Sequence, residues 1–125
     1  IFDGTLEKFP NLKILASHGG GYLPSYAGRI DHAWGARPDC SGNDLKHPPS
    51  YYLKKMHFDT IVFTYEQLKY LVDVFSADKI VMGTDYPYDM AEDDPVGHVL
   101  GTPGLNQDDI KKITGINAAK LLGVN

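Results

Sequence analysis

Lys79-Ile80-Val81-Met82-Gly83-Thr84-Asp85-Tyr86-Pro87 is the stretch that decides the fold. A short apolar run ends on Gly-Thr, sets one carboxylate, Asp85, at its exit, and closes on a proline. Lys13-Ile14-Leu15-Ala16-Ser17-His18-Gly19-Gly20-Gly21 repeats the design with an imidazole in place of the carboxylate. Each reads as a β-strand buried on both faces whose exit loop carries one metal-capable or proton-capable group. Strands that deliver polar chemistry at their C-terminal ends, with helices between them, are the layout of an α/β barrel's catalytic face. The two exits are the expected functional centre.

Outward from these exits, three strands are expected, over Leu12–Ser17, Met56–Thr60 and Lys79–Met82. Thr5–Phe9 reads as the end of a helix halted by Pro10. Tyr22–Trp34 reads as a helix with Leu23, Tyr26, Ile30, Ala33 and Trp34 on one stripe, and with Pro24 tolerated in its first turn. Tyr51–Lys55 suggests a short helix. Tyr65–Phe75 suggests an amphipathic one capped by Thr64, with Leu68, Leu71, Val72 and Phe75 inward. Asn106–Thr114, capped by Asn106 and closed by Gly115, and Asn117–Leu122, ending at Gly123, complete the helices. Arg37–Pro49 and the acidic Asp89–Pro103 read as long irregular loops. The order is strand-helix three times and then extra helices: the last three strand-helix units of a larger α/β fold, with residues 1–125 one partial domain.

The chain has 125 residues, 42% of them hydrophobic, enough for one domain. It is too short for a complete eight-stranded barrel, which takes roughly 200 residues or more. Twelve basic against sixteen acidic residues give a net charge of −4, with no basic cluster to neutralise phosphates, so a nucleic-acid partner is not expected. No apolar run approaches the roughly 20 residues of a membrane span. Ile1-Phe2-Asp3-Gly4 lacks the layout of a signal peptide, and the chain reads as beginning mid-protein. The single cysteine, Cys40, excludes an internal disulfide and suits a reducing, cytoplasmic setting.

Two readings of His18 stand. It is either a satisfied histidine at a strand end or, given the space that three glycines leave, a ligand or general acid/base. Asp85 is either the initiator of a turn or one carboxylate of a divalent metal site. Neither makes a site alone, because the chain has no His-x-His, no His-Glu-x-x-His and no Cys pair. Arg29 and Arg37 are either solvated charges or bidentate clamps for a substrate carboxylate. His32, His47 and His98 are expected at the surface, and His57 in a core or supporting role. Tyr22, Tyr26, Tyr51, Tyr52, Tyr86 and Tyr88 suit either an aromatic substrate or packing. Ser17 and Cys40 have no visible base near them, so a nucleophile is not expected.

Phe9-Pro10-Asn11-Leu12, Ser17-His18-Gly19-Gly20-Gly21, Gly28-Arg29-Ile30, Arg37-Pro38 and Gly83-Thr84-Asp85-Tyr86-Pro87, in this order and spacing, resemble the C-terminal part of the amidohydrolase-related family. The nearest branch is that of aminocarboxymuconate semialdehyde decarboxylase. The resemblance runs over nearly the whole chain and implies a (β/α)8 TIM barrel whose sixth to eighth strands are those above. It also implies one divalent metal, often zinc, held by a His-x-His, a further His and a final Asp. Asp85 matches that last ligand, and the other ligands have no counterpart in this chain. His18 matches the histidine that activates metal-bound water and shuttles protons. Arg29 matches an arginine that reaches a neighbouring subunit's substrate carboxylate, which implies a homodimer or higher homo-oligomer.

The activity so implied is metal-dependent nonoxidative decarboxylation of an unsaturated or aromatic acid by a longer chain, with His18 managing the proton and Arg29 holding a carboxylate. A hydrolase or hydratase on the same scaffold is the alternative. A further alternative is a non-catalytic fragment that serves only in assembly.

Overall fold

The computed structural model describes residues 1–41 and 45–124. Its elements are α1 (Thr5–Lys8), β1 (Leu15–Ala16), α2 (Ala27–Ala36), α3 (Pro38–Ser41), α4 (Pro49–Leu53), β2 (His57–Asp59) and α5 (Tyr65–Phe75). β3 (Ile80–Val81), α6 (Pro95–Gly101), α7 (Gln107–Lys111) and α8 (Asn117–Leu122) follow. The strands form one parallel sheet in the order β1-β2-β3. Leu15 lies opposite His57 and Ala16 opposite Phe58; Phe58 in turn faces Ile80, and Asp59 faces Val81. Parallel neighbours need crossover connections, and the helical segments after β1 and β2 supply them.

The middle strand and α5 make the centre of the core. Thr64 Oγ1 accepts the Gln67 N–H at 3.3 Å and starts α5, whose Leu68, Leu71 and Phe75 recur at helical spacing and are buried. Phe75 meets Phe58 with ring centroids 4.5 Å apart. Phe58, Leu68, Ile80, Val99 and Ile113 are fully buried, each worth about 1.5–3 kcal/mol relative to exposure. Tyr52 is also fully buried, with its hydroxyl donating to Glu7 Oε2 at 2.6 Å, so this tyrosine belongs to the packing and not to a substrate wall.

Several elements depart from expectation for local reasons. The helix expected from Tyr22 begins at Ala27, because Leu23 precedes a proline and is biased away from helical backbone. Pro24 is buried ahead of that helix, its carbonyl accepting the Tyr70 hydroxyl at 2.9 Å. The expected loop Arg37–Pro49 contains α3 and the start of α4, and its residues 42–44 lie outside the described residues. The expected loop Asp89–Pro103 contains α6, started by Asp94, whose Oδ1 accepts the Gly97 N–H at 2.8 Å, with Pro95 in the first turn. Gly115 does not end a helix. A wider turn over Lys112–Ile116 joins α7 to α8, and α8 ends at Gly123 with φ +72°.

That wider turn has a purpose in the sheet. The Asn117 N–H bonds Lys112 O, and the Ile113 carbonyl accepts the Met82 N–H at 2.9 Å instead. The Asn117 side-chain amide donates to Ala77 O and Ile80 O, both at 2.7 Å. The outer edge of β3 is therefore covered by the chain's own C-terminal segment. Phe58, Ile80 and Val81 of β2 and β3 are buried, as strands covered on both faces require. Leu12, ahead of β1, and Leu15, within it, are 48% and 43% exposed.

Candidate active site

Each strand leaves the sheet through a residue with left-handed backbone: His18 at φ +56° after β1, Phe63 at +62° after β2 and Asp85 at +58° after β3. A side chain in this region costs about 1–2 kcal/mol, so the neighbouring contacts must hold each turn. At the first exit the left-handed run continues through Gly19 and Gly20. A Cβ on Gly19 would stand 2.4 Å from Val62 Cγ1, and one on Gly20 2.6 Å from the Phe58 ring. The glycines thus let the turn sit directly on the β2 segment. The space beside His18 that the sequence suggests is filled from below by Phe58 and Val62.

The two exits converge. His18 Nε2 lies 3.6 Å from Asp85 Oδ1, with the imidazole 64% exposed and the carboxylate 23%. The separation exceeds a good hydrogen bond, so the two groups are neighbours that both remain open to a third. The Asp85 turn is braced on its own loop: Tyr88 N–H donates to Asp85 O, and Glu92 N–H to Thr84 O at 2.8 Å. That loop presents Tyr86 and Tyr88 to solvent, 82% and 70% exposed.

A residue the sequence reading missed stands behind this pair. Asp59, at the end of β2, is 8% exposed. Its carboxylate accepts the backbone N–H groups of His18 at 3.0 Å, Gly19 at 2.8 Å and Ile61 at 3.1 Å. The next residue, Thr60, accepts the Gly83 N–H at 3.1 Å. The signal available in the sequence was an acidic residue ending an apolar strand, where burial demands partners.

Arg29 and Arg37 are not brought to this pair. Arg29 is exposed in the first turn of α2, and it shares a shallow groove of about 460 Å³ with His32, Ala33, Ala36, Arg37 and Cys40. Neither His18 nor Asp85 lines that groove. Arg37 turns its fork onto Asp39, with Nε at 3.1 Å and Nη2 at 2.7 Å. Those hydrogen bonds raise the guanidinium pKa further above its ordinary value and hold the Asp39 carboxyl below its own.

His98, expected at the surface, is instead buried on α6, with Nδ1 3.3 Å from Glu92 Oε2. His57 is half-buried at the start of β2, and burial pushes its pKa below the ordinary value, with the nearby Lys79 charge acting in the same direction. His32 and His47 are exposed, as expected.

Among the described residues no group of three His, Cys, Asp or Glu side chains stands close enough to hold a metal ion. Asp85 is the kind of oxygen donor a divalent cation takes, so it fits as one member of a ligand set. It does not fit as the whole of one. No helix among the described residues is long and apolar enough to cross a membrane.

The profile of the amidohydrolase family matches residues 1–124. The chain belongs to that family. It is 37% identical over its whole length to a 2-amino-3-carboxymuconate-6-semialdehyde decarboxylase of Dictyostelium discoideum and 32% identical to the protein of the same description from Caenorhabditis elegans. It spans 33% and 31% of those two proteins, about a third of their length.

Among solved structures, 5-carboxyvanillate decarboxylase from Sphingomonas paucimobilis superposes with a TM-score of 0.87 at 27% identity, over 99% of this chain and 37% of that one. A dihydroxybenzoic acid decarboxylase from Polaromonas sp. JS666, with bound manganese and the inhibitor 2-nitroresorcinol, superposes at 0.82 and 28% identity. That match covers 98% of this chain and 37% of the other.

Proposed function

We propose that this chain forms the last three strand-helix units of a (β/α)8 barrel, a single partial domain, and that the intact protein is a metal-dependent nonoxidative decarboxylase of an unsaturated or aromatic carboxylic acid. The observation that carries the proposal is the meeting of His18 and Asp85 at two strand exits, 3.6 Å apart and open to solvent on that side. Relatives that decarboxylate acids, matched along the whole of this chain, support the reaction type.

In this reading Asp85 is one ligand of a divalent metal, and the remaining donors come from outside these residues. Zinc is the ion that the sequence resemblance implies, and the manganese of the Polaromonas structure supports the wider class of divalent cations. When bound, the metal supplies Lewis acidity and lowers the pKa of water.

His18 holds the mobile proton at Nε2, the atom facing Asp85, and passes it toward the substrate carbon that bears the carboxylate. As that carbon gains its proton, the bond to the carboxylate breaks. The electron pair returns to the conjugated system, and CO2 leaves. The net change is one carboxylate and one proton to one CO2 and the product that carries that proton in place of the carboxylate. Arg29 holds a substrate carboxylate, reaching it from a neighbouring copy in a cytoplasmic homodimer or larger homo-oligomer. Arg37 is the second candidate for that contact, once released from Asp39.

The test is product analysis. The full-length protein, loaded with zinc or manganese, is given a panel of muconate-type and hydroxybenzoate acids. Release of one CO2 per acid consumed is the expected result. Consumption with a hydrolysed or hydrated product and no CO2 overturns decarboxylation in favour of the hydrolase reading. No turnover with any divalent ion favours a role in assembly alone.

A further inference from the structure

We propose that Asp59 is a positioning residue for His18, acting through the backbone rather than through the imidazole. The inference rests on the role given to His18 above. Asp59 closes the middle strand, so it lies between the two exits that meet. Its buried carboxylate takes the N–H groups of His18 and Gly19 from one exit and that of Ile61 from its own. The donors at positions 18 and 19 lie about forty residues away in sequence, so no local turn accounts for them.

The other exit packs against the same side chain. A Cβ on Gly83 would stand 3.1 Å from Asp59 Cβ and 3.2 Å from Ile61 Cγ1, so the approach to Asp85 is set against the Asp59 stem. Thr60 then holds the Gly83 N–H at 3.1 Å. One carboxylate thus fixes the turn in which His18 adopts φ +56° and forms the wall against which the Asp85 segment rests. A change at Asp59 that leaves the sheet intact alters where the imidazole stands relative to Asp85.

Asp59→Asn in the full-length protein separates this role from simple stability. Asparagine keeps the size and one acceptor oxygen, but sets an NH2 group against an N–H that Asp59 now receives. The expected result is a fall in kcat on the order of 10–100-fold, the scale for a misplaced reacting group, with KM within about twofold. In a His18→Ala background the same change lowers kcat no further, because both substitutions remove one function. A full additional loss in that background overturns the proposal, as does an unchanged kcat in the single variant.

Asp59→Glu keeps both oxygens and moves them by one methylene. It replaces the asparagine variant if that one does not fold, and must give the same split between kcat and KM. The NMR signal of the His18 imidazole, assigned by its loss in His18→Ala, gives an answer without turnover. It shifts in the Asp59 variant if the proposal holds, and an unmoved signal overturns it. A wild-type protein that releases no CO2 refutes the decarboxylase reading and leaves this spectroscopic result to decide the role of Asp59.

Discussion

His18 and Asp85 are close enough to invite one role for both, yet their surroundings differ, which favours the two separate roles proposed for them. Asp85 is mostly covered and its backbone carbonyl is held by the Tyr88 N–H, while the imidazole is mostly exposed. A sheltered carboxylate suits a ligand; an exposed imidazole suits proton transfer. His18→Ala in the full-length protein is therefore expected to lower turnover roughly 10²–10⁴-fold while bound metal stays at the wild-type level. Asp85→Ala is expected to lower metal content as well as turnover. Metal analysis of both variants after dialysis checks this, and loss of metal from His18→Ala makes His18 a ligand. The two exit residues were legible in the sequence because each follows an apolar run and precedes residues that force a turn. Asp59 showed only as an acidic residue ending an apolar strand, since the partners that explain its burial come from a distant loop. His98 was missed because its helix is seven residues long and holds two glycines, too short for a period to emerge.

At the level of elements, the clear helix was the one whose stripe and cap agree: Tyr65–Phe75 has the bounds its period and Thr64 imply. The C-terminal segment was read as two helices parted by Gly115. The contact that joins them, Ile113 O with Met82 N–H, is tertiary and leaves no local mark. Asn117 covers the same strand edge with its side chain, and its loss tests that covering. Asn117→Leu leaves the buried Ile80 carbonyl without its donor, while Ala77 O keeps the Ile80 N–H, so a loss of about 1–3 kcal/mol, the cost of one unmet buried group, is expected in denaturant unfolding. A loss within about 0.5 kcal/mol, the range of ordinary surface changes, contradicts the edge-covering role. β2 supplies a second prediction, in pH. Burial, with Lys79 adding to it, depresses the His57 pKa, and among the described residues its Nδ1 has no hydrogen-bond partner. The unfolded chain then binds the proton more readily than the folded one, so stability rises with pH across this window. The contribution is whole above the ordinary value of 6.5 and drains away as pH falls through the lower folded value. His57→Phe should gain on the wild type progressively below about pH 6.5 in thermal melts. A constant difference from pH 5 to 8 denies His57 that part.

The molecule as a whole has one finished side and one unfinished side. Beyond β3, Asn117 and Ile113 occupy the edge groups of the sheet. Beyond β1 nothing comparable stands among the described residues: β1 pairs with β2 alone, and Leu12, Leu15 and Phe9 are exposed. An apolar cavity of about 530 Å³, lined in part by Phe2, Leu6, Ile14, Leu23 and Met56, opens on the same flank. An open strand edge beside apolar surface is a template for pairing with another chain. A three-stranded sheet has two such edges, and the C-terminal segment covers one of them. The 125-residue chain expressed alone is therefore expected to self-associate through the β1 side, and light scattering should report more than the mass of one chain. Leu15→Lys tests the location. Residue 15 lies on the β1 edge at 43% exposure, where a charge deters edge pairing without emptying the core. The substitution should shift the isolated chain toward the mass of one copy. The matching charge at Val96, which is 45% exposed on α6, should leave association as it was. A compact wild-type monomer would mean that the β1 flank needs no partner, and with it would go the reading of this chain as part of a closed barrel.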